Sequence, residues 1–257
     1  MGLALLKGWT KDGIEPLVAV EPHITPSLRK FATANRIVLF GQIEQAVHLR
    51  PQACVVALKP QIFKTEAMRL RPFAEAGALM LSIAAGTGIP ALRHAWGRRV
   101  RIVRAMPNTP GAIGQGISAL FAPAGTALHD RRCAEQLLSG LGATVWVKSE
   151  KQIDIVTAVS GSGPAYVFLF VESLAAAAMS EGLPREVAEH LARETVAGAG
   201  ALLKVGARSA ADLRRDVTSP GGTTEAALKV LMTDGAFAAL LARAVAAARA
   251  RATELRT

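Results

Sequence analysis

Tyrosine occurs once in this chain of 257 residues and tryptophan three times. So sparse a set of large aromatics provides few platforms for stacked bases, which weighs against nucleic-acid binding even though 30 Lys and Arg outnumber 20 Asp and Glu. The basic residues are scattered in pairs such as Arg98-Arg99 and Arg131-Arg132, so the surplus suits an anionic ligand or merely an arginine-rich surface. Cysteine is also scarce, with two residues. Cys54 lies inside an apolar run and Cys133 on an expected helix, which argues against a disulfide framework and points to a reducing, cytoplasmic compartment. The five histidines, His23, His48, His94, His129 and His190, show no ligand spacing with cysteine or carboxylates, so no metal site is expected. The longest apolar stretch, Ala165 to Met179, is broken by Tyr166, Glu172 and Ser173 and is short for a bilayer span, so no membrane partner is expected. The first residues lack a secretory pattern, and Leu6 stands where myristoylation wants Ser or Thr.

Hydrophobic residues make up 51% of the chain, enough for one large core or two smaller ones. Up to about residue 148, strand-length apolar runs alternate with helical patterns. The expected strands are Leu17–Val20, Ile37–Leu39, Ala53–Leu58, Leu79–Ile83, Val100–Ala105, Gly116–Ala122 and Thr144–Val147. Between them fit the helices Thr25–Ala34, Ile62–Ala76 and Asp130–Leu141. Such alternation, with runs continuously rich in Val, Ile, Leu and Ala, predicts an α/β fold: a doubly wound parallel sheet covered on both faces.

Beyond Lys148 the strand-like runs cease. The chain becomes Ala-rich and helix-periodic, with helices expected at Pro164–Gly182, Pro184–Val205, Ser209–Val217, Thr224–Thr233 and Ala236–Glu254. Two domains are therefore expected, 1–149 and 150–257, the second entirely helical. Its small-residue face at 196–201 permits close helix approach, and burial against a second copy, with a dimer as the minimal unit, is the expected arrangement.

The stretch Asp216 to Glu225 concentrates turn and anion chemistry. Pro220 fixes φ, Gly221 and Gly222 admit unusual backbone angles, and Thr223 or Thr224 is placed to cap the helix that follows. Amides free at a helix start suit a carboxylate or phosphate, although an ordinary glycine turn between helices would use the same residues. Three other motifs close successive strands: Ala57-Leu58-Lys59-Pro60-Gln61, Ser82-Ile83-Ala84-Ala85-Gly86 and Arg104-Ala105-Met106-Pro107-Asn108-Thr109-Pro110. Each alone could be a structural turn. Three strand ends facing one crevice favour a dinucleotide.

With Val159-Ser160-Gly161-Ser162-Gly163-Pro164-Ala165-Tyr166 and Met1-Gly2 added, these motifs stand in the order of the pyrroline-5-carboxylate reductases, which the chain resembles over essentially its whole length. The resemblance implies a Rossmann-type domain for NADPH or NADH, followed by a helical domain that dimerises and completes the active site. It also implies hydride transfer to the C=N carbon of 1-pyrroline-5-carboxylate, a small-molecule substrate, to give L-proline. By position, Gly2, Ala57, Lys59, Pro60, Pro107 and Asn108 would serve the cofactor. Ser219, Gly221, Gly222, Thr223 and Thr224 would hold the substrate, with the Thr224 hydroxyl at the imine nitrogen and the amides of Gly221 to Thr223 on the carboxylate. The helical half could serve a nicotinamide bound by the partner subunit.

The family begins with a strand and a Gly-x-Gly-x-x-Gly turn, of which only Gly2 is present here. Loss of that central strand would leave the middle of the sheet unfilled; a start site placed too late is the expected explanation. Glu21, about twenty residues beyond the turn, would bond a ribose 2′-OH and so leans toward NADH, although Arg29 and Lys30 lie near. Two alternatives remain: a non-catalytic nucleotide-binding homologue, and another dehydrogenase of the same plan. The second usually presents a lysine on the first interdomain helix, and Val167 to Met179 contains none.

Overall fold

The computed structural model describes residues 1–206 and 208–255, apart from the side chains of Pro60 and Lys64. The chain divides into two compact units, Met1–Ser162 with the residues from Ala248 onward, and Gly163–Ala247.

The first unit opens with helix α1 (Gly2–Lys11). Leu5, Leu6 and Trp9 recur at helical spacing and enter the main core beside Leu79, Leu81, Val103 and Leu138. The helix is then seated tightly: Trp9 Nε1 donates to Leu137 O at 2.6 Å. A Cβ on Gly8 would come 2.9 Å from Gly140 Cα, an approach that only glycine allows.

After α1 the chain alternates as its apolar runs predict. The strands are β1 (Val18–Val20), β2 (Val38–Phe40), β3 (Ala53–Val56), β4 (Leu79–Ser82), β5 (Ile102–Met106), β6 (Gly116–Phe121) and β7 (Gly142–Trp146). The helices of this part are α2 (Pro26–Ala34), α3 (Pro60–Glu66), α4 (Arg71–Glu75), α5 (Ile89–Trp96), α6 (Leu128–Ser139) and α7 (Lys151–Val156). The single helix expected over 62–76 is instead α3, a 3-10 turn at Ala67–Leu70 and α4. Pro72 has no amide hydrogen and its ring crowds the preceding turn, so the helix breaks and restarts around it.

The strands do not form one sheet. β1 and β2 pair parallel as a two-stranded sheet, and the second sheet has the order β3-β4-β5-β6-β7. No strand among the described residues joins β1 to β3, in keeping with the expected gap at the centre of a doubly wound order. The difference in cover is plain. Leu79, Met80, Leu81 and Ser82 of the interior strand β4 are fully buried, whereas Ala53, Cys54 and Val55 of β3 are only half-buried and Val18 of β1 is exposed.

Within this mainly parallel sheet one pair is reversed: β6 runs antiparallel to β5, and β7 parallel to β6. β5 ends at Met106 and β6 begins at Gly116, too short an interval for the crossover that a parallel pair requires.

The second unit is helical, as its composition predicts. It contains α8 (Gly163–Ser180), α9 (Arg185–Leu202), α10 (Ala210–Asp216), α11 (Thr223–Met232) and most of α12 (Ala236–Glu254). Ser209 caps α10, accepting from Asp212 N at 3.1 Å while the Asp212 carboxylate accepts from Ser209 N. The helical stretches Lys151–Ser180 and Thr223–Glu254, the second kinked at Asp234, are long and apolar enough to cross a membrane by length and composition alone. The broken apolar run is extended on its N-terminal side by α7 and a π turn at Thr157–Gly161. Large side chains on α8 stand in the open, Phe168 at 60% and Leu169 at 61% exposure.

Candidate active site

In the first unit the expected cofactor residues gather at strand ends. Gly2 begins α1, and a Cβ built on it would lie 3.6 Å from the Cβ of Ala57, the residue that follows β3. No side chain caps α1, so its first-turn amides and positive dipole end are uncommitted beside the end of β3. Those features fit the diphosphate of a dinucleotide. Lys59 is the N-cap residue of α3 and makes no side-chain cap bond; Pro60 is the first residue of that helix.

Glu21 follows β1. Its amide donates to Phe40 O at 2.9 Å and its Oε1 accepts from His23 N at 2.9 Å, which fixes the carboxylate at the strand end. Pro107 and Asn108 follow β5, and the Asn108 side-chain oxygen accepts from Ile117 N at 2.9 Å. The loop is thereby stapled to β6.

One feature at these strand ends escaped sequence reasoning. Arg104, at 2% exposure in β5, donates through Nη1 to Glu150 Oε1 at 2.9 Å, and the same oxygen accepts from Ile89 N, the first amide of α5, at 2.6 Å. An arginine inside the apolar run Ile102–Met106 is the signal that could have pointed to it.

In the second unit the glycine turn leads directly into α11. Gly221 has φ of +71°, a left-handed angle that glycine adopts freely, and Gly222 N donates to Ser219 O at 3.0 Å. The N-cap is Gly222, with no side-chain cap. Thr223 and Thr224 are thus the first two helical residues, which corrects the expectation that one of them caps the helix.

A second correction concerns the amides. Gly221 N donates to Glu225 Oε2 at 2.8 Å, so it is already engaged and is not free for a carboxylate. Gly222 N is engaged as well, and the first helical bond is made by Ala226 N to Gly222 O at 3.2 Å. The amides ahead of that bond belong to Thr223, Thr224 and Glu225, where a helix start leaves donors without intrahelical partners. Ser219 and Thr223 are exposed and Thr224 is half-buried. Below the turn, the Arg208 guanidinium hydrogen-bonds Asp216 and holds its carboxyl below the usual range.

Comparison with known proteins supplies the relatives. Residues 150–255 match the family model described as pyrroline-5-carboxylate reductase dimerisation. A pyrroline-5-carboxylate reductase of Pisum sativum is 35% identical over 99% of this chain and 92% of its own length. The solved structure of a pyrroline-5-carboxylate reductase from Coxiella burnetii is similar with a TM-score of 0.92 at 35% identity, over 100% of this chain and 95% of that one. A pyrroline carboxylate reductase of Plasmodium falciparum, solved with NADP bound, gives 0.82 at 28% identity over 100% and 95%. The exposed apolar helices fall within the matched dimerisation region, which accounts for their composition without a membrane. The chain belongs to the pyrroline-5-carboxylate reductase family.

Proposed function

We propose that this protein reduces 1-pyrroline-5-carboxylate to L-proline with NADPH or NADH, the last step of proline biosynthesis. The observation that carries the substrate half is the uncapped start of α11, where Thr223, Thr224 and Glu225 offer amides to a carboxylate beside a half-buried threonine hydroxyl. Residues 1–149 serve the nucleotide and 150–257 serve the substrate and the contact between subunits. The enzyme works as a homo-oligomer in the cytoplasm; its two cysteines, both free, accord with a reducing compartment.

A reduced nicotinamide, when bound, supplies the hydride for the C=N carbon. Gly2, Ala57, Lys59, Pro60, Pro107 and Asn108 hold that nucleotide, and Glu21 meets the ribose 2′-hydroxyl. A protonated imine is already electrophilic, so the protein's task is to place and to stabilise. The Thr224 oxygen accepts a hydrogen bond from the iminium N–H. The first amides of α11 hold the carboxylate, while Ser219, Gly221 and Gly222 shape the turn that presents them. No separate general acid is needed, because the proton is already on the nitrogen.

The test is direct: purified protein is given pyrroline-5-carboxylate with NADH or NADPH, and proline is identified by mass. Nucleotide oxidation with matching proline formation is the expected result. Nucleotide binding without turnover would instead establish the non-catalytic homologue.

A further inference from the structure

We propose that Glu150 is a positioning residue which ties the loops after β4 and β5 into one rigid platform; the functional meaning of that platform rests on reading these strand ends as the nucleotide side of the reductase. A single oxygen, Glu150 Oε1, accepts from two donors on different elements, Arg104 Nη1 at 2.9 Å and Ile89 N at 2.6 Å. Ile89 is the first residue of α5 and stands at the end of the loop 83–88 that leaves β4. Its N-cap, Gly88, has no side chain to offer, so Glu150 supplies the missing acceptor from 61 residues away, and its charge suits the positive end of the helix. Arg104 lies two residues before the end of β5, next to the Pro107-Asn108 loop.

The pair does more than fill space. Arg104 is buried, its Nε has no hydrogen-bond partner, and among the described residues its one ion pair is with Glu150. An apolar side chain would occupy the same part of β5 without the desolvation cost of a buried charge. What the ionic link adds is a fixed distance between two strand ends. Glu150 itself is held from behind: Gln152 Oε1 accepts from Lys148 N at 2.7 Å and from Ser149 N at 3.0 Å, which shapes the turn that aims the carboxylate. The Asn108–Ile117 bond is a second tie at the start of the loop after β5 and joins it to β6.

The experiment compares wild type with Glu150→Gln, Glu150→Asp and the double variant Arg104→Gln/Glu150→Gln. Two measurements do not require turnover: amide hydrogen exchange over residues 84–90 and 105–110 without nucleotide, and NADH or NADPH Kd by titration. Steady-state constants are added where wild type turns over. Glu150→Gln is expected to speed exchange in both segments together and to weaken the nucleotide Kd and KM about ten-fold, leaving KM for the imine unchanged. The double variant is expected to be no worse than Glu150→Gln, because the two side chains act as one unit. Should Glu150→Gln not accumulate, Glu150→Asp, which keeps the charge but is too short to reach both donors, is read the same way.

Faster exchange in only one segment, or a wild-type nucleotide Kd, would overturn the proposal. A lowered Tm with an unchanged Kd would reduce Glu150 to a structural role and overturn it equally. If wild type binds nucleotide but makes no proline, the functional reading fails while the exchange and Kd comparisons still decide the clamp.

Discussion

The side-chain oxygen of Asn108 accepts the amide hydrogen of Ile117 at 2.9 Å. This bond joins the loop after β5 to the start of an antiparallel neighbour, and it spends the acceptor of the one amide side chain in the Met-Pro-Asn-Thr-Pro motif on structure. Asn108→Ala should cost about 1 kcal/mol of stability and raise nucleotide KM several-fold, whereas Asn108→Asp, which retains an acceptor, should keep most of the stability. Chemical denaturation and steady-state kinetics measure both.

Thr224 is the second residue of α11 and is half-buried. Thr224→Ala should lower kcat/KM for the imine by about 100-fold with little change in nucleotide affinity, and Thr224→Ser should recover most of the loss. Full activity in the alanine variant would remove the hydroxyl from the mechanism.

Glu225 holds the glycine turn through the amide of Gly221. Replacement by alanine releases that amide and loosens the helix start, at an expected cost of about 1 kcal/mol. Because the freed turn no longer presents the α11 amides, KM for the imine should rise while KM for the nucleotide stays unchanged. A kinetic comparison of the two substrates checks this split.

The Glu21 carboxylate is fixed at the end of β1 by His23 N. Glu21→Gln keeps an acceptor for that bond but removes the charge that repels a 2′-phosphate. The ratio of kcat/KM for NADPH to that for NADH should increase by about ten-fold, and an unchanged ratio would exclude Glu21 from nucleotide choice.

Although Cys54 as a residue is only half-buried, the protein packed around its thiol desolvates the charged form and pushes the thiol up to about 12. An unfolded thiol titrates near 8.5, so above that pH the unfolded chain releases a proton that the folded chain keeps. The stability contributed by the protonated thiol is therefore complete below about pH 8.5 and is lost as pH rises toward 12. Melting curves from pH 8 to 11 should fall more steeply for wild type than for Cys54→Ala, and Cys54 should label slowly with a thiol reagent at pH 8.

Much of the architecture is legible in the sequence. Buried strands such as Leu79–Ser82 are continuous apolar runs, and the Ser209 capping box that opens α10 and the left-handed Gly182 that follows α8 mark helix ends locally. The break at Pro72 was legible in principle as well, since it depends on one residue. The antiparallel turn of β6 was less so, because an apolar run has no direction and only the short link after Met106 sets it.

Sequence by itself determined the order of strands and helices, the placing of the motif residues at strand and helix ends, and the family. These depend on periodicity, propensity and spacing, all of which are local. Tertiary structure alone decided that Arg104 and Ile89 converge on one oxygen of Glu150, whereas the Gly221 amide found its acceptor only four residues on, in Glu225. A hydrogen bond forms between whichever groups are brought within about 3 Å, and for partners 46 and 61 residues apart no local pattern records that meeting.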